Sequence, residues 1–95
     1  MIRSFRDPET AIIWRGEVSR KLPRDIQQVA LRKLRMMNQA RRLTDLRIPP
    51  GNRLEALKGR RSGQHSIRIN DQWRICFEWP DRSPGPVNAE IVDYH

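Results

Sequence analysis

Residues 64–79, Gln-His-Ser-Ile-Arg-Ile-Asn-Asp-Gln-Trp-Arg-Ile-Cys-Phe-Glu-Trp, constrain the fold more than any other stretch of the chain. In the second half Trp73, Ile75, Phe77 and Trp79 alternate with Arg74, Cys76 and Glu78. A period of two sends successive side chains to opposite faces of a strand, so one face is apolar and the other polar. Ile67 and Ile69 alternate with Ser66 and Arg68 in the same way, with Asn70-Asp71-Gln72 between the two runs. A two-residue loop would set Ile67 opposite Arg74 and mix the faces. A three-residue loop sets Ile69 against Trp73, Ile67 against Ile75 and Arg68 against Arg74. Only this register keeps one face dry, and a buried face specifies register strongly. It also sets two arginines side by side on the polar face, where like charges destabilise a sheet unless solvent or an anion lies between them.

The rest of the chain supplies a cover for the dry face. Residues 2–5 form a short candidate strand. Asp7-Pro8-Glu9 then carries the marks of a helix start: a capping carboxylate, proline at the first helical position, and an acid near the positive helix end. That helix runs through Ala11, Ile12 and Trp14 and stops near Gly16. After Pro23, the spacing of Ile26, Val29, Ala30, Leu34 and Met37 predicts a second helix. Its other face, with Arg24, Gln28, Arg32 and Arg35, is either simply solvated or a contact for a partner protein or nucleic acid. Residues 41–46 form a further short turn, and Ile48-Pro49-Pro50-Gly51-Asn52 a loop. Residues 53–57 read as a strand with Leu54 and Ala56 inward, followed by the cationic loop Lys58-Gly59-Arg60-Arg61-Ser62-Gly63. After the hairpin and a proline-containing loop, Val87, Ala89 and Ile91 mark the last strand. The expected fold is α+β: two helices on one face of a mainly antiparallel sheet of four or five strands, as one domain over residues 1–95.

Charge narrows the function. Lys plus Arg number 19 against 11 Asp plus Glu, a net +8 carried mostly by arginine. Such a balance suits a polyanion, nucleic acid before an acidic protein. The single cysteine excludes an internal disulfide, and no apolar run is long enough for a signal peptide or a membrane span. The expected location is the cytoplasm, with no membrane contact. Two histidines and one cysteine, none at ligand spacing, predict neither a metal nor another cofactor.

Strand parity gathers a reactive set on the polar face. If Leu54 and Ala56 point inward, Glu55 and Leu57 point outward; if Val87, Ala89 and Ile91 point inward, Asn88, Glu90, Val92 and Tyr94 point outward. Glu55, Arg68, Arg74 and Tyr94 then share one surface, with Lys58 at its edge and His95 beside it. Metal-free RNA cleavage needs a base for the ribose 2′-hydroxyl, an acid for the leaving 5′-oxygen, and fixed cations on the phosphate. Glu55 suits the base and His95 the acid, since a neighbouring α-carboxylate favours a charged imidazole. Arg74, Arg68 and Lys58 suit the phosphate, and Arg60 and Arg61 extend the RNA contact. Each residue also has an ordinary explanation: a solvated glutamate, a packing tyrosine, a frayed terminal histidine. His65 falls opposite Phe77, at the rim of the core, and reads as a satisfied structural histidine. Cys76 lacks a neighbouring base and is not proposed as a nucleophile. Glu90 is the reserve carboxylate.

The order strand, two helices, Arg-Leu-Glu-Ala-Leu-Lys-Gly, Ser-Gly-Gln-His-Ser-Ile-Arg-Ile, Gln-Trp-Arg-Ile-Cys-Phe and Asp-Tyr-His resembles the HigB branch of the RelE toxin superfamily. The resemblance covers essentially the whole chain and is most specific in its C-terminal half. It implies a basic endoribonuclease of a type II toxin–antitoxin module that cleaves mRNA in the ribosomal A site. It also implies inhibition by a HigA-like helix-turn-helix antitoxin, in a hetero-oligomeric complex that binds operator DNA through the antitoxin. Lys58, Arg74, Asp93, Tyr94 and His95 fall on functional positions of the family. Glu55 stands where relatives have either histidine or glutamate, and Arg68 matches a basic strand position in some relatives. Asp93 points inward by parity, which suits orienting its neighbours better than touching phosphate. Two other readings use the same surface: a ParE-like gyrase inhibitor without nuclease activity, and a non-catalytic RNA- or DNA-binding module. A pure binder has no use for an acid and a base, and few aromatics interleave the polar face for base stacking.

Overall fold

The computed structural model describes residues 1–94. His95 lies outside the described residues. Helix α1 spans Pro8–Trp14 and α2 spans Arg24–Gln39; the strands are β1 Glu55–Ala56, β2 Gln64–Arg68, β3 Trp73–Glu78 and β4 Val87–Asp93. The strands form one antiparallel sheet in the order β1-β2-β3-β4. The residue 2–5 segment makes a single parallel bridge, Phe5 to Ala89, beside β4. Arg3 and Arg6 donate their amides to the Pro86 and Ala89 carbonyls, and Ala89 donates to Ser4. The close approach of this segment explains Gly85, where an added Cβ would meet the Met1 carbonyl oxygen at 1.7 Å. This is the α+β layer arrangement expected from the sequence.

The hairpin has the three-residue loop that its two faces demand. Ile67 pairs with Ile75, Arg68 with Arg74 and His65 with Phe77, while the Ile69 amide donates to the Trp73 carbonyl. The turn is locked by the Asn70 side chain, whose Oδ1 accepts from the amides of Gln72 at 2.9 Å and Trp73 at 2.7 Å. Asparagine suits this place because its short side chain mimics a backbone turn.

The dry face is covered by both helices. Ile13, Ile26, Ala30, Leu34 and Met37 meet Ile67, Ile75, Phe77, Ala89 and Ile91 in one core cluster. Ile67, Ile75 and Phe77 are fully buried, each contributing about 1.5–3 kcal/mol from burial. Trp73 and Trp79 are half-buried and pack against the edge of this cluster. Helix α1 starts as expected: Asp7 accepts from the Thr10 amide with Pro8 following. The buried Thr10 hydroxyl donates to Asp7 and accepts from the Ile91 amide, clipping the helix to β4. Gly16 takes the left-handed conformation just past the helix end. The α1–α2 connector is tied down by buried Gln27, which donates to the Ser19 and Leu22 carbonyls and accepts from the Ser19 amide.

Four details depart from the sequence expectations. Strand β1 is only two residues long; Ala56 is exposed, and Leu57, expected on the open face, is buried although outside the core cluster. An edge strand with one ladder cannot enforce alternation beyond its paired residues. In β4 one extra residue is accommodated between the Glu78–Val87 and Cys76–Glu90 pairs, with Asn88 at φ 54°. Asn88 tolerates that backbone, and its side chain donates to Glu78 at 2.8 Å. Lys33, on α2, is buried, which the helical pattern of apolar residues does not reveal. His65 stacks on Phe77 at a centroid distance of 6.2 Å, but its buried Nδ1 has no hydrogen-bond partner among the described residues, so it is not fully satisfied. Among the described residues no helix is long and apolar enough to cross a membrane.

Candidate active site

The polar face of the sheet divides into two electrostatic halves. At the β4 end, ion pairs satisfy one another. Arg61 donates to Glu90 at 2.9 Å and to Gln64 at 3.0 Å. Arg6 pairs with Glu78 at 3.2 Å and approaches Glu90 at 3.7 Å. The hydrogen bond to Glu90 holds the Arg61 guanidinium even more firmly charged than usual. Glu90, the reserve carboxylate, is therefore committed to two arginines. Cys76, opposite Glu90 in the sheet, is fully buried, and burial pushes its thiol up, which disfavours a nucleophilic thiolate.

The other half is open. Arg53, Glu55, Arg68, Asn70, Asp71, Arg74 and Tyr94 line a polar pocket of about 410 Å³. Four sequence-predicted residues, Glu55, Arg68, Arg74 and Tyr94, thus meet in one cavity from the four strand segments. The register brings them there: Glu55 pairs with Ser66, two residues before Arg68, and Arg68 pairs with Arg74. Val92, two residues before Tyr94, pairs with Arg74 on its other side. The Tyr94 amide donates to the Gln72 carbonyl at 2.8 Å, which extends this pairing beyond β4.

The opposed arginines are held by different means. Arg68 has an internal counterion: its Nη2 pairs with Asp71 of the three-residue turn. Arg74 makes no ion pair among the described residues. Its Nε donates to the buried Ser66 hydroxyl at 2.7 Å, and its Nη2 to the carbonyls of Arg53 and Ser66. All its acceptors are neutral, so its position is fixed while its charge stays uncompensated. The Glu55 carboxylate is exposed, with no hydrogen bond or ion pair among the described residues. One guanidinium held only by neutral groups, beside a carboxylate free to take a proton, suits an anionic substrate with an acidic hydroxyl.

Other predicted positions lie around this pocket. Lys58 is exposed and immediately precedes the 3₁₀ turn Gly59–Arg61. Arg60 is exposed in that turn, and Arg61 is engaged in the ionic cluster; none of the three lines the pocket. Asp93 is exposed opposite Trp73 and accepts from Gln72 Nε2 at 3.0 Å, beside the pocket and outside its lining. His95 lies outside the described residues. Four contributors escaped sequence reasoning: Arg53, Ser66, Asn70 and Asp71. Ser66 shares the parity of Arg68, so that alternation could have found it. Arg53 reaches the pocket through a left-handed backbone, φ 46° and ψ 56°, which no local pattern announces.

Two further clefts offer less chemistry. One, of about 260 Å³, lies beside α1 and α2 between Ile13, Val18 and Leu31, with Glu17 its only titratable lining group. The other, of about 370 Å³, lies beside Trp79 with Arg41, Arg42, Asp81 and Arg82 and pairs no base with an acid. No group of three or more metal-ligating side chains is gathered among the described residues.

Comparison with known proteins agrees with this architecture. Residues 3–95 match the family described as the RelE-like toxin of type II toxin–antitoxin system HigB. The chain is 47% identical over 62 residues to Toxin HigB-1 of Vibrio cholerae serotype O1, a match covering 65% of each chain. It is 34% identical over 80 residues to an uncharacterized protein of Haemophilus influenzae, covering 84% of this chain and 76% of that one. The chain therefore belongs to the HigB family of RelE-like toxins of type II toxin–antitoxin systems.

Proposed function

We propose that this protein is an endoribonuclease that cleaves mRNA in the ribosomal A site, with the pocket between Glu55, Arg68, Arg74 and Tyr94 as its active site. The observation that carries the reading is the fixed Arg74 guanidinium, held only by neutral acceptors, in one pocket with the Glu55 carboxylate. Glu55 takes the proton of a ribose 2′-hydroxyl, and the freed oxygen attacks the adjacent phosphorus. The bond to the 5′-oxygen breaks as that oxygen receives a proton from His95, leaving a 2′,3′-cyclic phosphate and a 5′-hydroxyl. Arg74 and Arg68 stabilise the extra negative charge on the phosphoryl oxygens as the transition state forms. Tyr94 hydrogen-bonds the phosphate or the leaving oxygen, Asp93 orients the 93–95 segment, and Lys58 adds charge from the rim. Arg60, with Arg61 behind it, tracks the flanking backbone.

Family membership supports a cognate antitoxin as partner, of HigA-like helix-turn-helix type, in a hetero-oligomer that binds operator DNA through the antitoxin. An mRNA-cleaving toxin of this kind works in the cytoplasm. The test is primer extension on messages from induced cells, comparing wild type with Arg74→Ala and with deletion of His95. Discrete in-frame cuts that vanish in both variants are expected. Growth arrest that survives both changes would sink the nuclease reading, and arrest with gyrase-linked DNA breaks and intact messages would replace it by a ParE-like one.

A further inference from the structure

Arg74 donates to the Arg53 carbonyl, and the residue before Arg53 makes a buried contact with α2. We infer that Lys33, acting through Asn52, is a positioning residue for Arg74; the inference rests on reading the pocket as the site of RNA cleavage. Lys33 is on α2 and is 7% exposed, and its Nζ donates to Oδ1 of Asn52, which is fully buried. An ammonium only donates, so it fixes which way the Asn52 amide faces. The Asn52 Nδ2 is then aimed at the Leu46 carbonyl at 3.2 Å and the Ile48 carbonyl at 3.4 Å. Its backbone amide donates to the Pro49 carbonyl at 2.9 Å. With Nδ2 also reaching Met36 Sδ at 3.9 Å, Asn52 is held at five points, and the next residue is Arg53.

Arg53 adopts φ 46° and ψ 56°, a conformation that a non-glycine side chain keeps only where its neighbours over-determine it. Its amide donates to the Pro50 carbonyl at 3.0 Å, and its own carbonyl accepts from Arg74 Nη2. The chain of contacts runs Lys33, Asn52, Arg53 backbone, Arg74 guanidinium. Lys33 itself lines no part of the pocket, so it touches no reacting atom. Its placement is costly for a purely structural side chain: burial disfavours its charged form, and Arg32 and Arg68 add repulsion. An apolar residue of similar length would fill the same space without that penalty. The penalty makes sense if the ammonium's task is to orient Asn52.

The test uses the full chain and an mRNA positioned in the A site of purified bacterial ribosomes. Single-turnover cleavage is measured for wild type, Lys33→Met, Arg74→Ala and the double variant. Affinity is measured with the same message carrying a 2′-deoxy sugar at the scissile position. Lys33→Met is expected to slow cleavage at least tenfold while affinity for the deoxy message changes less than threefold. In the Arg74→Ala background the same change should have less than a twofold effect, because there is no guanidinium left to position. A merely structural lysine would lower thermal stability alike in both backgrounds and slow cleavage by the same factor in each. Losses that multiply in the double variant, or wild-type cleavage by Lys33→Met, overturn the inference. If Arg74→Ala itself cleaves at the wild-type rate, the reading of the pocket fails first and the inference with it. Should Lys33→Met not fold, Asn52→Asp, which keeps an acceptor for Lys33 but loses the Leu46 and Ile48 contacts, makes the same discrimination.

Discussion

Replacing Ser66 by alanine isolates the hold on Arg74 from its charge. Ser66 is fully buried in β2, between Glu55 and Cys76 in the sheet, and its hydroxyl accepts from Arg74 Nε at 2.7 Å. A hydrogen bond from a charged donor contributes about 1.5–3 kcal/mol. Arg74 is half-buried, so water recovers part of the loss, and Nη2 keeps its bond to the Arg53 carbonyl. The expected net loss of stability is about 1 kcal/mol, which lowers Tm by about 4–8 °C for a chain of this size. A similar loss of about 1–1.4 kcal/mol at the transition state slows cleavage about five- to tenfold. Thermal melts followed by circular dichroism give the first quantity, and single-turnover cleavage of ribosome-bound mRNA the second. Cys76→Ala is the control: it removes an equally buried atom on the same face that makes no hydrogen bond to Arg74. If Ser66→Ala cleaves at the wild-type rate, or no more slowly than Cys76→Ala at equal loss of stability, Arg74 does not depend on this hold and the reasoning is refuted.

Glu55→Gln should reduce cleavage by about 10²–10⁴-fold, the usual scale for a general base, with melting temperature unchanged because the side chain is exposed; a variant retaining a tenth of the activity would remove Glu55 as the base. RNA affinity should fall with salt with a log–log slope of about −3, from roughly −0.7 per neutralised phosphate and the four cations set toward phosphate, Lys58, Arg60, Arg68 and Arg74; a flat response would assign the +8 charge elsewhere. Cys76 should resist alkylation by iodoacetamide in the native state and react on unfolding, since it is fully buried and its thiol is pushed up; rapid labelling at neutral pH would contradict this burial. Lys33 in the folded chain titrates below its ordinary 10.5. Between its folded pKa and 10.5 the unfolded state binds more protons, so its contribution to stability rises with pH in that window. The denaturation midpoint of wild type should therefore gain on that of Lys33→Met between neutral pH and about pH 10, and a constant difference would show that the buried ammonium carries no penalty.

Alternation alone made the central hairpin legible, because a period-two pattern with one apolar face admits a single register. Arg68 opposite Arg74 followed from it, as did the shared face of Glu55 and Tyr94. The start of α1 was equally readable, since Asp7, Pro8 and Glu9 act on the helix within one turn. Legibility ended where a side chain's role depends on contacts distant in sequence. Arg61 reads as a loop cation, but it lies 2.9 Å from Glu90, twenty-nine residues away. Asp71 reads as a turn residue, but it neutralises Arg68.

Alternation by itself determined that Glu55, Arg68, Arg74 and Tyr94 share the open face, because strand parity is a local, geometric property, although it misplaced Leu57 and Ala56 in the short edge strand. The tertiary structure decided which of those charges remain available. Ion pairing neutralises the end of the face beside β4, and a left-handed Arg53, anchored through Asn52 to a lysine on α2, holds Arg74 with neutral acceptors. Parity is fixed by the backbone of each strand. Charge compensation is a sum over neighbours that only the packed chain brings together.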